Sequence, residues 1–506
     1  MKKRTKTLLI GLFILAFLGT RIPRLAKDVI NPDGVNWHYR SQQFVVGLKT
    51  FDFKKTYQHY HPGVTLMWIS GIPIEIYKQV TNTPHYDVRN FQVFDTVAKI
   101  SVVVSQLILS FIVLCLLDKI IGFERAFLTL SLFTFEPFVV GNSRLYHMDI
   151  LVTLILFIGL LYSFINLRES SIKVSVLSGL FLALAFLTKS IAIGGVVYVL
   201  IYMLVTKMEK KYLGVVLLAF FVFTFFLFPA LWKDPIYFLG EIFREGERVG
   251  IRKGHGQILF GEYTRNAGVF FYPLVLLMKV SPLVLIGVIL FKVVSLDSFK
   301  KLFRSTKEKL HNLTVFLGIF YLGYIGVMTL PSKKIDRYML VVYPFLAYVA
   351  AIGFSKVFNR LKNKTIFLVL SGVSVAIFWI FPLIKLFPYY FTYTSPVFGS
   401  AERANSVIAQ KPFGVGTYDL KYHIIEKYGE EIKLGFIDTK PMKSTYSNSK
   451  VFDVRVSGTS DYDLLVLGVN EEIPEKVLQS DNTFEKDSSL WINGLEYWRI
   501  YVKKEN

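Results

Sequence analysis

The 506-residue chain has a single cysteine, Cys115, placed inside an apolar run. Internal disulfides and paired-thiol redox centres are thereby excluded. Charge is sparse as well: charged residues make up 19% of the chain, with 37 acids against 58 lysines and arginines. There is no phosphate-loop signature, no dinucleotide glycine fingerprint and no G-x-S-x-G elbow. Nucleotide-driven transport and serine hydrolysis are therefore unsupported. No His/Cys spacing resembles a structural zinc site. The opening "MKKRTKTLLIGLFILAFLGT" is followed by "RIPRL" rather than a small-residue cleavage site. It is read as an uncleaved signal anchor and first span.

What the chain has in excess is apolar surface: 53% hydrophobic residues, 16% aromatic and a mean hydropathy of +0.45. Apolar runs of about 20 residues recur, the length that crosses a hydrocarbon core roughly 30 Å thick. The expected fold class is a polytopic α-helical membrane protein of about eleven spans. They are placed near 7–20, 95–117, 125–141, 149–167, 174–188, 190–206, 213–231, 269–291, 313–330, 338–355 and 365–385.

A net charge of +21 would suggest nucleic acid in a soluble protein. Here no nucleic-acid motif accompanies it, so no nucleic-acid partner is expected. The basic residues instead report orientation. Alternate segments on one side hold 21 Lys and Arg, against 5 in the short loops on the other. The positive-inside rule then puts the N-terminus in the cytoplasm of a multi-pass plasma (inner) membrane protein. Residues 1–385 form the expected transmembrane catalytic domain, with outer loops 21–94 and 232–268. Residues 386–506 form a small extracytoplasmic α/β domain, with a helical "LKYHIIEKYGEEI" and strand-like "KLGFID", "YDLLVLGV" and "LEYWRIYV".

That orientation gathers ionisable residues at one face. Charge at membrane depth is costly and marks candidate functional positions. "NPDGVNWHYRSQQF" supplies Asp33, His38 and Arg40, and "TYQHYHPGVTLMW" supplies His61. "SRLYHMDILV" supplies Arg144, His147 and Asp149. Asp33 and Asp149 also suit helix starts, where an acid caps or offsets the dipole. Lys189 in "LALAFLTKSIAIGG" either snorkels to the interface or offers a point charge to a phosphate. "LPSKKIDRYMLVVYPF" sets Lys333, Lys334 and Arg337 on the outer side, against the positive-inside trend and suited to an anion. "PALWKDPIYFLGEIFREGERVGIRKGHGQ" reads as an interfacial helix followed by a flexible loop bearing His255. The His and Asp residues also leave a divalent cation open.

The order of these features resembles the GT-C superfamily of polytopic glycosyltransferases, nearest the protein O-mannosyltransferase and lipid A aminoarabinose transferase families. The resemblance rests on Asp33 after the first span, Asp149 in "RLYHMD", "LALAFLTKS", "PSKKIDRYMLVVYP", "FPALWKDPIYF" and "FPYYFTYTSPVFGSAERA". It implies transfer of a sugar from a polyprenyl-phosphate donor to a glycan, lipid or protein acceptor. Asp33 and Asp149 would be catalytic, and Lys189, Lys333, Lys334 and Arg337 would bind the donor phosphate. His38, Arg40, His61, Arg144, His147 and His255 would contact substrate. Many members carry two adjacent acids where this chain has Asp33-Gly34. A transporter or flippase of lipid-linked saccharides is the alternative, and a surface-binding protein a third reading.

Overall fold

The computed structural model describes residues 2–83, 88–252, 256–302, 312–362, 364–480 and 484–504. Each of the eleven expected spans falls on helix. The apolar ones are α1 (Lys3–Arg21), α4 (Phe91–Ile121), α7 (Asp149–Glu169), α8 (Ile172–Thr188), α9 (Ile193–Val205) and α10 (Lys210–Leu227). Helices Leu313–Thr329, Tyr343–Arg360 and Lys364–Val375 follow. Among the described residues five helices are long and apolar enough to cross a membrane, or six if one bent pair counts as a single span. Three apolar helices are shorter.

Two of the expected spans are not straight. Residues 125–141 divide into α5 (Phe123–Thr134) and α6 (Pro137–Ser143), with Pro137 in the first turn of α6. Proline has no N–H to donate and so restarts a helix rather than continuing one. Residues 269–291 divide into α12 (Phe271–Lys279) and α13 (Pro282–Leu302), bent by 113°. Pro282 restarts the chain there by the same rule, and the buried Glu136 accepts hydrogen bonds from the Ser281 hydroxyl and backbone N–H at the bend.

Small residues set the closest helix contacts. A Cβ at Gly353 would lie 2.2 Å from the carbonyl oxygen of Gly287, which locks α13 against Tyr343–Arg360. α7 sits at the centre, with nearly every residue of its membrane window buried. Such an all-apolar circumference is what a helix surrounded by other helices requires.

Outside the spans lie α2 (Pro32–Lys49), α3 (Val64–Val80) and α11 (Pro235–Glu245). A two-stranded hairpin pairs β1 (Gln257–Leu259) with β2 (Glu262–Thr264). After the last span, β3 (Lys433–Phe436), β4 (Lys450–Asp453), β5 (Leu464–Gly468), β6 (Phe484–Ile492) and β7 (Leu495–Lys503) form a mixed sheet in the order 4-3-5-7-6. The apolar core under this sheet also takes in Val29 and Leu145 from the membrane unit. Val29 pairs with Val415, and Ile30 N–H and Gly416 N–H bond across to Gly414 and Asp28 carbonyls. The C-terminal unit is thereby stitched to the segment just before α2.

Ser332 is exposed in the loop preceding Arg337, whereas Lys334 is buried. With Cys115 replaced by serine, a cysteine at Ser332 should label with an impermeant maleimide added outside intact cells. A cysteine at Lys207 should label only after permeabilisation. The reverse pattern would invert the orientation derived from basic residues.

Candidate active site

Helix α2 begins with Pro32 at its first position, Asp33 in its first turn and Asn31 at the cap. Proline preset for helical φ and an acid at the positive end of the dipole explain why the helix starts here. Gly34 follows Asp33 in this first turn. A Cβ at Gly34 would meet the Asn31 side chain at 2.7 Å, so a larger residue would have to shift that side chain. Along the same helix Asp33, Asn36, Trp37 and Arg40 line one cavity of about 420 Å³. Their i, i+3, i+4, i+7 spacing puts them on one helical face.

Three further segments close around Asp33. The turn before α7 brings His147 and Asp149, the extended break between α8 and α9 brings Lys189, and residues 331–337 bring Lys333 and Arg337. Lys189 Nζ lies 2.7 Å from Asp149, His147 Nδ1 3.0 Å from it and Arg337 Nη1 3.6 Å from it. Arg337 Nη2 donates to Asp33 at 3.2 Å, and His147 Nε2 is 3.6 Å from Asp33. Asp149 is therefore sequestered, with only 7% of its side chain exposed, whereas Asp33 keeps 45% exposed towards the cavity. Burial alone would raise the Asp33 carboxyl, but Arg337 and His147 outweigh it and hold the group below the usual carboxylate range.

An aromatic wall faces these charges. His59, Tyr60 and His61 stack in succession with ring centres 4.2 Å apart, and Trp37 packs against His59. Gly63, at φ +61°, makes room for Trp37: a Cβ there would sit 2.2 Å from the indole. Burial, reinforced by Arg40, pushes His59 down to about 3; burial and then Lys189 push His61 well below its ordinary value. Both imidazoles are neutral near pH 7. His61 Nδ1 is 3.0 Å from the Ser190 hydroxyl.

A second, largely apolar groove of about 230 Å³ runs beside the first, lined by Ile191, Ile193, Ile242, Phe243 and Met328 among others. Ile242 and Phe243 belong to α11, whose Ile236 remains 87% exposed on the outside. His61, Asp149, Lys189, Lys333 and Arg337 line both spaces. The polar chamber and the apolar groove thus meet at a wall of cations.

Three expected site residues, Arg144, His38 and Lys334, are placed elsewhere. Arg144 is 1% exposed and does not reach the cavity. Its Nε donates to Asp28 at 2.6 Å and its other nitrogens to the carbonyls of Thr20, Arg21 and Pro23. A guanidinium with its donors so engaged ties α1 to the α6–α7 turn. His38 is buried away from the cavity, with Nε2 3.0 Å from Asp95 and the Tyr146 ring tilted against it at 4.6 Å. Lys334 is buried and donates to Pro331 carbonyl in its own loop. His255 lies outside the described residues. Among those described, no three His, Cys, Asp or Glu side chains are grouped as a metal site.

Sequence reasoning missed the contribution of the C-terminal segment. Phe391, Gln410, Lys411 and Phe413 line the polar chamber, and Phe413 lies under the Arg337 guanidinium at 4.6 Å. Burial lowers Lys411 to about 8. No local spacing marks these residues. Their position follows from β-type bonding of residues 407–409 to the β1–β2 hairpin.

The family model for dolichyl-phosphate-mannose-protein mannosyltransferase matches residues 91–232, which include Asp149 and Lys189 but neither Asp33 nor Arg337. The chain is similar to the crystal structure of ArnT from Cupriavidus metallidurans bound to undecaprenyl phosphate. The TM-score is 0.52 at 14% identity, covering 98% of this chain and 97% of that one. For the same protein in the apo state the TM-score is 0.53 at 14% identity, over 99% and 98%. The oligosaccharyltransferase of Archaeoglobus fulgidus in the apo form gives 0.52 at 11% identity, over 92% of this chain and 70% of that one. No curated protein matches the sequence. At these identities the likeness is one of fold, and it bears out the resemblance drawn from the motifs: the chain is a multi-pass membrane protein with the GT-C fold.

Arg144→Gln should lower thermal stability strongly, because an unpaired buried Asp28 costs about 3–5 kcal/mol. Adding Asp28→Asn should recover part of the loss. Thermal melting in detergent measures both; an unchanged melting point would remove the clamp assignment.

Proposed function

We propose, starting from the GT-C fold, that this chain is a membrane glycosyltransferase moving a sugar from a polyprenyl-phosphate donor to an acceptor at the outer face. The observation that carries this reading is the shared wall of Lys189, Lys333 and Arg337 between an apolar groove and a polar chamber. An amphiphile with an isoprenoid tail, one phosphate and a sugar has that same sequence of chemistries. The tail suits the groove under α11, and the phosphate suits the cations. The sugar then projects towards Asp33 in the chamber. Arg337 Nη1 is buried without a hydrogen bond, leaving a donor for a phosphate oxygen.

In the proposed step an acceptor O–H attacks the anomeric carbon as the bond from that carbon to the phosphate oxygen breaks. Asp33 takes the proton, and the phosphate leaves with the bonding electrons, stabilised by the cations. One base and one leaving phosphate suit inversion. Asp149, tied to Lys189, His147 and Arg337, positions the cations rather than taking the proton. The resident ion pairs supply charge compensation here, and a divalent cation is not needed in this scheme.

With undecaprenyl-phosphate-linked sugars and the full chain in proteoliposomes, Asp33→Asn should lower the transfer rate by a factor on the order of 10²–10⁴. Equal rates would remove Asp33 as the base. Movement of the intact lipid-linked sugar across the bilayer without cleavage would replace this reading with a flippase.

The pH profile follows from the depressed Asp33 carboxyl. A group held below its ordinary value stays ionised until pH falls through its folded pKa, so the limb of kcat/KM that Asp33 sets should lie below about pH 4, the ordinary carboxylate value. His59 and His61, held low, add no limb near neutral pH. Arg337→Gln should move the acid limb upward, since the chief charge lowering the carboxyl is gone.

A further inference from the structure

The cations around the site fall into two sets. Lys189, Lys333 and Arg337 line both spaces, whereas Arg40, Lys411 and the buried Lys279, whose Nζ donates to the Tyr393 carbonyl, line only the polar chamber. A donor phosphate held at the shared wall gives no role to Arg40 or Lys411 in the chamber. Arg40 stands seven residues beyond Asp33 on the same helical face, roughly 10 Å along the axis at 1.5 Å per residue. Its guanidinium is stacked on Trp37 at 4.6 Å, which fixes its orientation. Among the described residues no carboxylate lies within ion-pair distance of it, and none of its nitrogens makes a hydrogen bond.

Lys411 comes from the C-terminal unit. Its Nζ donates to the Gly256 carbonyl, and residues 407–409 are bonded along the β1–β2 hairpin. Two independent elements, α2 and the 407–413 strap, therefore bring cations to the chamber away from the lipid groove. A preset guanidinium with unused forked donors is suited to a carboxylate or phosphate.

We propose that Arg40 and Lys411 form an acid-reading subsite in the polar chamber, so that the substrate occupying it carries a carboxylate or phosphate about two helical turns from Asp33. This rests on the glycosyltransferase reading and narrows its substrate class. The acidic group belongs either to the acceptor or to the donor sugar. The strap then makes the C-terminal unit a specificity element of the site.

The test uses the full chain in nanodiscs and two matched probe pairs, read by native mass spectrometry. One pair is octyl glucuronide and octyl glucoside, added with saturating undecaprenyl phosphate. The other is undecaprenyl-phosphate-linked glucuronic acid and glucose. The acidic member should bind about tenfold tighter in at least one pair, a factor typical of one charge-assisted contact. Preference in the first pair assigns the acid to the acceptor; preference in the second assigns it to the sugar. The double variant Arg40→Gln, Lys411→Gln should erase the preference, and Arg40→Lys should keep part of it. No preference in either pair, or one that survives the double variant, overturns the subsite. If wild type fails to bind undecaprenyl phosphate at all, the underlying glycosyltransferase reading falls instead.

Discussion

The site depends on Asp149. A carboxylate buried at the end of a central transmembrane helix is tolerated only if paired, since desolvating an ion costs several kcal/mol. Lys189, His147 and Arg337 provide that pairing from three different segments. The same Arg337 also reaches Asp33 on a fourth. Satisfying one buried charge thus fixes the relative positions of α2, the α7 turn, the α8–α9 break and the 331–337 loop. Asp33 remains the more accessible acid because its partners are shared with Asp149 and lie on one side of it.

A second buried pair, Asp28 with Arg144, works at a different level. It joins the end of α1 to the α6–α7 turn and sits beside Val29, which pairs with the C-terminal unit. The site is therefore bracketed by one ion cluster that faces the cavity and another that is sealed from it. Both use arginine, whose delocalised charge and fixed donor fork accept burial better than lysine does. In the cluster facing the cavity Arg337 Nη1 is buried without a hydrogen bond, whereas in the sealed one Nε, Nη1 and Nη2 of Arg144 all donate.

The helices were legible because their signal is long: about 20 apolar residues in succession have few alternatives. The breaks at Pro137 and Pro282 were less so, since hydropathy continues smoothly across them. Asp33, Asp149, Lys189, Lys333 and Arg337 could be gathered from one loop face because charge near a bilayer is rare. Arg144 and His38 were misjudged by the same rule, which finds costly charge but not the partner that satisfies it. Asp28 and Asp95 were those partners, far away in sequence. The α2 pattern of Asp33, Asn36, Trp37 and Arg40 was a readable signal, the helical spacing of one face. Lys411 and Phe413 had no such pattern, because a hydrogen-bonded strap rather than a local motif carries them to the cavity.

The balance of charge at the shared wall bears on the direction of the proposed reaction. Residues lining both spaces include three cations, Lys189, Lys333 and Arg337, against one acid, Asp149. A polyprenyl-phosphate sugar is a phosphodiester with one negative charge, and the departing polyprenyl phosphate is a monoester that approaches two. With the ionised Asp33 on Arg337 the surplus is one positive charge, and it rises to two when Asp33 takes the acceptor proton, as the second charge develops on the leaving phosphate. Interactions that strengthen as charge develops are the ones that accelerate bond breaking. Because Lys189 and Arg337 are held by Asp149 before any ligand arrives, little reorganisation of these two is required at that moment. The buried acid that costs most in the resting protein is thus the group that preorganises the site.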